Sequence, residues 1–269
     1  MAVVSAFKDG SDALRANPVL LVAGLLVGIG SQLQYVGRLI DSPILSTGVS
    51  LAWLVVFPFV LGGFIGTARA AIEGTNASLT GFFAAAATHY RALLGGTVAF
   101  VLLVFGTVVG LGLAGFVFGI GAMALATVNE VAAFAVGVGS AVIWLVSILV
   151  VVMFVQFYDT AIVIEKKSVI ESLRRSIDLV RSNPKSVVGF SVVWVVLLNA
   201  FLVPEYLLQV TLTDASPVDV VPIDSGLPIA VLLPIGITLS AIGFAYLYTV
   251  YTAYYMRLTA TSPAPVESI

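Results

Sequence analysis

A carboxylate, two amides and a set of cations are the side chains best placed to do chemistry in or beside the long apolar runs of this sequence. Gln156 and Asp159 close one run, Asn199 interrupts the next, and Arg174, Arg175, Arg181 and Lys185 crowd the polar stretch between them. An amide or acid inside lipid lines a solute path, relays protons or bonds helix to helix, and the last is worth about 0.6 kcal/mol on average. Asn199 lies about 12 residues into its run, or about 18 Å at helical rise, and so near a bilayer midplane. Asp159 lies about 28 residues, or about 42 Å, from Val131, beyond a hydrocarbon core of about 30 Å. It is therefore expected at the interface, paired with Arg174 or Arg175. The four cations suit anionic headgroups, at about 1 kcal/mol each near a membrane surface.

Other reactive types are sparse. Glu205 follows Pro204 and reads as an exposed loop acid, and His89 precedes Tyr90 and Arg91 at a span boundary. Tyr248, Tyr251 and Tyr255 precede Arg257 and read as an aromatic belt. The chain has no Cys and one His, which excludes disulfides and thiolate chemistry and leaves no His-rich metal site. No nucleophile elbow, zinc-protease signature or phosphate loop is present. An enzyme acting on lipid headgroups would have only Asp159, Glu165, Arg175 and His89 to work with. The expectation is no catalytic, cofactor-binding or metal site.

Composition explains the sparseness. Sixty per cent of the 269 residues are apolar and ten per cent charged, against about 45–50% and about 25% in soluble domains. The solvent must be a bilayer. A net charge of −2 gives no reason to expect nucleic acid. Few Lys with abundant Ala, Val and Gly suit a salt-adapted or GC-rich prokaryote. The first sixteen residues hold Lys8, Asp9, Asp12 and Arg15, unlike a secretory signal.

Six runs are long enough to span as helices: about 18–37, 44–67, 92–118, 131–157, 186–209 and 227–256. The predicted fold is an all-α polytopic membrane bundle with kinks at Pro58 and Pro234. Of twelve Lys and Arg, all but Arg38 fall on one side, while Asp41, Glu130, Glu205, Asp214, Asp219 and Asp224 fall on the other. Basic residues mark the cytoplasmic side, so both termini are expected there, in the cell membrane. Gly24/Gly28, Gly62/Gly66, Gly106/Gly110 and Gly115/Gly119 are spaced for close helix approach.

One phrase occurs twice. Asp12-Ala13-Leu14-Arg15-Ala16-Asn17-Pro18 returns as Asp178-Leu179-Val180-Arg181-Ser182-Asn183-Pro184, each copy leading into an apolar run. The second copy ends a segment opened by a capping box, Ser168 with Glu171. Ile170, Leu173, Ile177 and Val180 form its apolar face, and Glu171–Arg175 and Arg174–Asp178 are spaced as ion pairs. Asp-to-Arg pairing and an Asn-Pro stop make each phrase a corner between an interfacial helix and a span. A weaker amphipathic stretch runs from Ser78 to Arg91. The single domain, 1–269, then divides into pseudo-repeats 1–76, 77–166 and 167–269, each an entry helix and a hairpin.

Tyr158-Asp159-Thr160-Ala161-Ile162-Val163-Ile164-Glu165, followed by Val169-Ile170-Glu171-Ser172-Leu173-Arg174-Arg175-Ser176-Ile177-Asp178-Leu179-Val180-Arg181, resembles the membrane domain attached to some glycerophosphodiester phosphodiesterases. It is similar also to stand-alone prokaryotic membrane proteins, haloarchaeal ones among them. The catalytic barrel of those phosphodiesterases is absent, and Asp159 stands where such proteins often have Pro. The resemblance implies a membrane module tied to envelope or lipid handling, without catalysis. The expected role is a non-catalytic integral membrane module organising lipids or partner proteins. The alternative is a small-molecule transporter or permease subunit with a polar cavity lined by Asn199, Gln156 or Asp159. The expected partners are the bilayer, anionic lipids and other membrane proteins.

Overall fold

The computed structural model describes residues 2–40, 42–213 and 229–261, all helices and short turns. Asp41, Asp214, Asp219 and Asp224, four of the acids expected opposite the basic side, lie outside the described residues. In chain order the helices are α1 (Ala2–Ala16), α2 (Val19–Leu39), α3 (Pro43–Ile72), α4 (Leu79–Ala126), α5 (Glu130–Val155), α6 (Tyr158–Ile164), α7 (Val169–Ser182), α8 (Pro184–Thr213) and α9 (Ile229–Thr261). Five helical stretches are long and apolar enough to cross a membrane, or six if the bent pair α1–α2 is one span; α5 and α6 together form one of them.

The distribution of side chains is inverted relative to a protein in water. Leu102, Phe105, Leu113 and Phe116 are more than half exposed, while Gln32, Asp159, Thr160, Ser172, Ser176, Thr249 and Thr252 are buried. Apolar surface of this extent is stable only against lipid, and buried polar groups must then find partners inside the bundle. Among the described residues, none from 97 to 154 is buried, so the far part of the α4–α5 hairpin stands apart from the core.

The core is assembled around α9, which packs against α1, α2, α3 and α8. Glycine spacing positions one of these contacts, that of α2 with α9, and also the packing of α3 on α4. A Cβ on Gly24 or Gly28 would lie 2.4 or 2.5 Å from the Ala241 or Ile237 carbonyl oxygen of α9. On α3, one at Gly62 or Gly66 would lie 2.7 or 2.5 Å from Leu93 or Ala85 of α4. The other two expected pairs pack on nothing: around Gly106, Gly110, Gly115 and Gly119 there is open space. Spacing alone does not bring a second helix near.

Both copies of the repeated phrase make the same corner. Asn17 Nδ2 donates to the Ala13 carbonyl at 2.9 Å, and Asn183 Nδ2 to the Leu179 carbonyl at 3.3 Å. Each Asn backbone N–H bonds that same carbonyl, at 3.0 and 3.1 Å. The chain turns by 97° between α1 and α2. The expected Asp12–Arg15 and Asp178–Arg181 pairs are not among the ion pairs formed. The Asn amide is sufficient for the corner. The entry helix expected before span three is likewise not separate: α4 runs unbroken through 79–126. No Asn-Pro intervenes there, and Ala84–Ala87 favour helix.

Gly24→Leu should separate α2 from α9 and cost about 1–3 kcal/mol through overpacking. Gly110→Ala should be neutral or stabilising by up to about 1 kcal/mol, since it meets nothing and favours helix. Unfolding of both variants in one detergent checks the contrast.

Candidate functional site

Span four breaks near the basic end, and the polar residues singled out by sequence meet at that break. Between α5 and α6, residues 156 and 157 leave helical bonding. Ser176 of α7 closes the gap with one hydroxyl: it donates to the Phe154 carbonyl at 2.8 Å and accepts the Phe157 N–H at 3.0 Å. The Thr160 N–H, whose ladder partner would be the Gln156 carbonyl, donates instead to Asp159 Oδ1 at 2.7 Å. The hydroxyl of Tyr251 on α9 donates to the freed Gln156 carbonyl and lies 3.3 Å from Asp159 Oδ1. Four backbone groups at the break, the Phe154 and Gln156 carbonyls and the Phe157 and Thr160 N–H groups, are thus answered by side chains from α6, α7 and α9, as a low-dielectric interior requires.

Asp159 is 5% exposed and has no cationic partner among the described residues. The expected interfacial pairing with Arg174 or Arg175 does not form. Packing of α6 against α3, α4 and α7 buries six successive residues, Tyr158 to Val163, so Asp159 faces the interior of the bundle and not the surface where Arg174 lies. Arg175 pairs instead with Glu165, 3.0 Å away at the end of α6, and the Tyr255 hydroxyl donates to the same carboxylate at 2.5 Å. Lys167 lies 3.5 Å from Glu165. Arg69, at the end of α3, donates to the Ile164 carbonyl at 3.1 Å and caps α6 from outside. The α6–α7 turn passes through Lys166 at φ 55, a left-handed conformation that costs a non-glycine residue about 1–2 kcal/mol.

Several other expectations are corrected by the same packing. Tyr251 and Tyr255 are buried hydrogen-bond donors, so the tyrosine run is not an interfacial belt. Phe157 stacks on Tyr251 with centroids 5.4 Å apart, and Phe190 on Tyr254 at 4.0 Å. The buried face of α7 is Ser172, Ser176, Leu179 and Val180, while Ile170 is 64% exposed. Neither the Glu171–Arg175 nor the Arg174–Asp178 pair is among the ion pairs of the described residues: Arg175 pairs with Glu165, and the Glu171 carboxylate accepts the Ser168 N–H at 3.0 Å and hydroxyl at 2.8 Å.

The candidate cavity residues do not share a cavity. Gln156 bonds Ser191 of α8 at 3.2 Å. Asn199 donates to Val195 of its own helix at 2.8 Å and accepts from Tyr206 at 3.2 Å, so it bonds within α8 and not across to a neighbour. Glu205 lies inside α8, not in a loop, and accepts from Gln32 of α2 at 2.9 Å. A cleft of about 350 Å³ between α4 and α5 is lined by Leu111, Phe118, Ile143 and other mostly apolar residues. No group of three His, Cys, Asp or Glu that could hold a metal occurs among the described residues.

The cations separate into two sets. Arg69, Lys167, Arg175 and Arg257 are paired with Glu73, Glu165, Glu165 and Asp9. Arg174, Arg181 and Lys185 are exposed, as are Lys8, Arg15 and Arg91, with no ion pair among the described residues. Gln32, Ser176 and Tyr251 escaped the sequence reading as site residues. Ser176 was visible only as one letter of the Ser-Leu-Arg-Arg-Ser run.

Residues 1–258 match the model of a family described as Domain of unknown function (DUF7847). No curated protein and no solved structure matches the chain.

Ser176→Ala should cost about 2–6 kcal/mol, because two buried backbone groups lose their partner at about 1–3 kcal/mol each. Hydrogen exchange at Phe157 should accelerate, while exchange in α2 stays unchanged. Ser168 holds the Glu171 carboxyl below the usual glutamate value of 4.5. Its contribution to folding is complete above that value and fades as pH falls through the lower folded-state value. Amide exchange in the first turn of α7 should therefore rise only in acid, and Glu171→Ala should remove that pH dependence.

Proposed function

From the chain's membership of the DUF7847 family, whose match runs from α1 into the last turn of α9, we propose a role for the bundle as a unit. It is a non-catalytic integral membrane module of the cell membrane, with its basic end and both termini in the cytoplasm. That end holds anionic lipid headgroups. The observation that carries this reading is the separation of the cations. Those that brace the bundle are already paired with acids, whereas Arg174, Arg181 and Lys185 stand exposed at the corner where α7 turns into α8. Exposed cations at a membrane boundary attract anionic headgroups at about 1 kcal/mol each and enforce the inward orientation of that side.

The resemblance to a phosphodiesterase-associated membrane domain, with its link to lipid handling, agrees with this role. The transporter reading has less support. Asn199 is exposed and bonded within its own helix, and Asp159 is buried between the Thr160 N–H and the Tyr251 hydroxyl.

The triple variant Arg174→Gln, Arg181→Gln, Lys185→Gln should fold, since none of the three is buried. Native mass spectrometry from mixed phosphatidylglycerol–phosphatidylcholine nanodiscs should show phosphatidylglycerol retained by the parent protein and largely lost by the variant. Loss should follow added salt in the parent, because exposed charges are screened. Equal retention by parent and variant would exclude this face as the headgroup site.

A further inference from the structure

A second polar cluster lies toward the other end of the bundle, where α2, α8 and α9 meet, and the break in span four makes no use of it. Glu205 of α8 accepts from Gln32 Nε2 at 2.9 Å, and the adjacent Ser31 hydroxyl donates its proton to the Gly28 carbonyl at 3.0 Å, so its oxygen has only lone pairs to offer. Gln32 is 3% exposed, and its other terminal atom, Oε1, is buried with no hydrogen-bond partner. Its side chain rests on α9, 3.6 Å from where a Gly236 Cβ would stand. One turn along that face of α9, the Ser240 hydroxyl oxygen is also buried and without a partner. Most hydroxyls in these helices bond a carbonyl of the preceding turn, as Thr238 does to Pro234 at 2.8 Å. Ser240 does not.

The cluster is therefore one carboxylate and two oxygens lacking donors, inside a span. None of the ion pairs among the described residues includes Glu205. An uncompensated charge and an orphaned amide oxygen are each costly in lipid. Turning the Gln32 amide over does not help, because its oxygen would then face the carboxylate. What the cluster lacks is an electrophile that several oxygens can share. All the available ligands are hard oxygens, which favours an alkali or alkaline-earth ion over a transition metal. With a single carboxylate, a divalent ion would leave a net positive charge buried, whereas a monovalent ion gives neutrality.

We propose that Glu205, the Gln32 side-chain oxygen and Ser240, with Ser31 beside them, form a sodium-binding site between α2, α8 and α9. The bound ion ties three helices together in the half of the bundle that has no Ser176-like clamp. Folding and sodium binding are then linked, and stability rises with the logarithm of free sodium above the dissociation constant.

The test is thermal unfolding of the full chain in detergent, with sodium chloride exchanged for choline chloride at constant ionic strength and pH. Sodium-23 NMR titration of the same samples supplies a direct binding signal. The parent protein should gain several degrees in sodium, and the sodium resonance should broaden. Glu205→Gln and Gln32→Leu should each abolish both effects, while Asp159→Asn, at the other cluster, should retain them. No difference between sodium and choline for the parent protein overturns the proposal, and that measurement needs no variant to fold. A parent midpoint that depends on pH but not on sodium, with the pH dependence lost in Glu205→Gln, would assign the site to a proton and overturn it equally. Neither result bears on headgroup retention at the basic end, because the measurement contains no anionic lipid.

Discussion

A helix cannot break inside a bilayer unless the peptide groups it releases find new partners, and the basic half of this protein is organised by meeting that demand. The break at residues 156–157 releases the Phe154 and Gln156 carbonyls and the Phe157 N–H. Ser176 takes two of these groups and Tyr251 the third. Because the donors and acceptors come from α7 and α9, those helices are held against α6. Glu165 then lies at the end of α6 within reach of both Arg175 and Tyr255. Within the Ser-Leu-Arg-Arg-Ser stretch Ser176 makes this repair and Arg175 braces Glu165, while Arg174 stays exposed.

The same physics accounts for what is buried. Lipid gives apolar side chains little reason to prefer the interior, so Leu, Val and Phe are left on the outside and the interior is chosen by hydrogen bonding and close fit. Gly24 and Gly28 let α9 approach α2, and the Gly62–Gly66 face admits α4. Tyrosines fill the remaining space because each supplies a large ring with a donor at its tip. Charge follows a parallel logic at the end of α6, where Arg175 reaches Glu165 inside the bundle and braces it while Arg174 stays at the surface.

Much of the fold was legible because the bilayer imposes a strict length and polarity code. Five long apolar helical stretches, six with the bent α1–α2 pair, and the Asn-Pro corners follow from composition and spacing. The corners could be read because an Asn amide bonding back four residues is a local interaction, complete within one turn of chain. The continuity of α4 through 79–126 was also decidable locally, by the lack of any breaker, although an amphipathic pattern suggested a separate helix. The site was legible in part. Gln156 and Asp159 stood out as polar residues in apolar sequence, but their partners did not, because Ser176 and Tyr251 lie some twenty and ninety residues away.

The sequence by itself determined an all-helical bundle of long apolar helices, and which of its polar stretches carry the cations. These depend on transfer between water and lipid, which each segment undergoes largely alone. Only the tertiary structure decided that span four breaks and that Asp159 turns inward to Tyr251 and not outward to Arg175. It also decided that the tyrosines are internal donors, that two of the four glycine pairs meet a neighbour, and that Gln32 finds Glu205. Each of these outcomes depends on which distant group offers a hydrogen bond or a fitting surface at one place. No single segment carries that information.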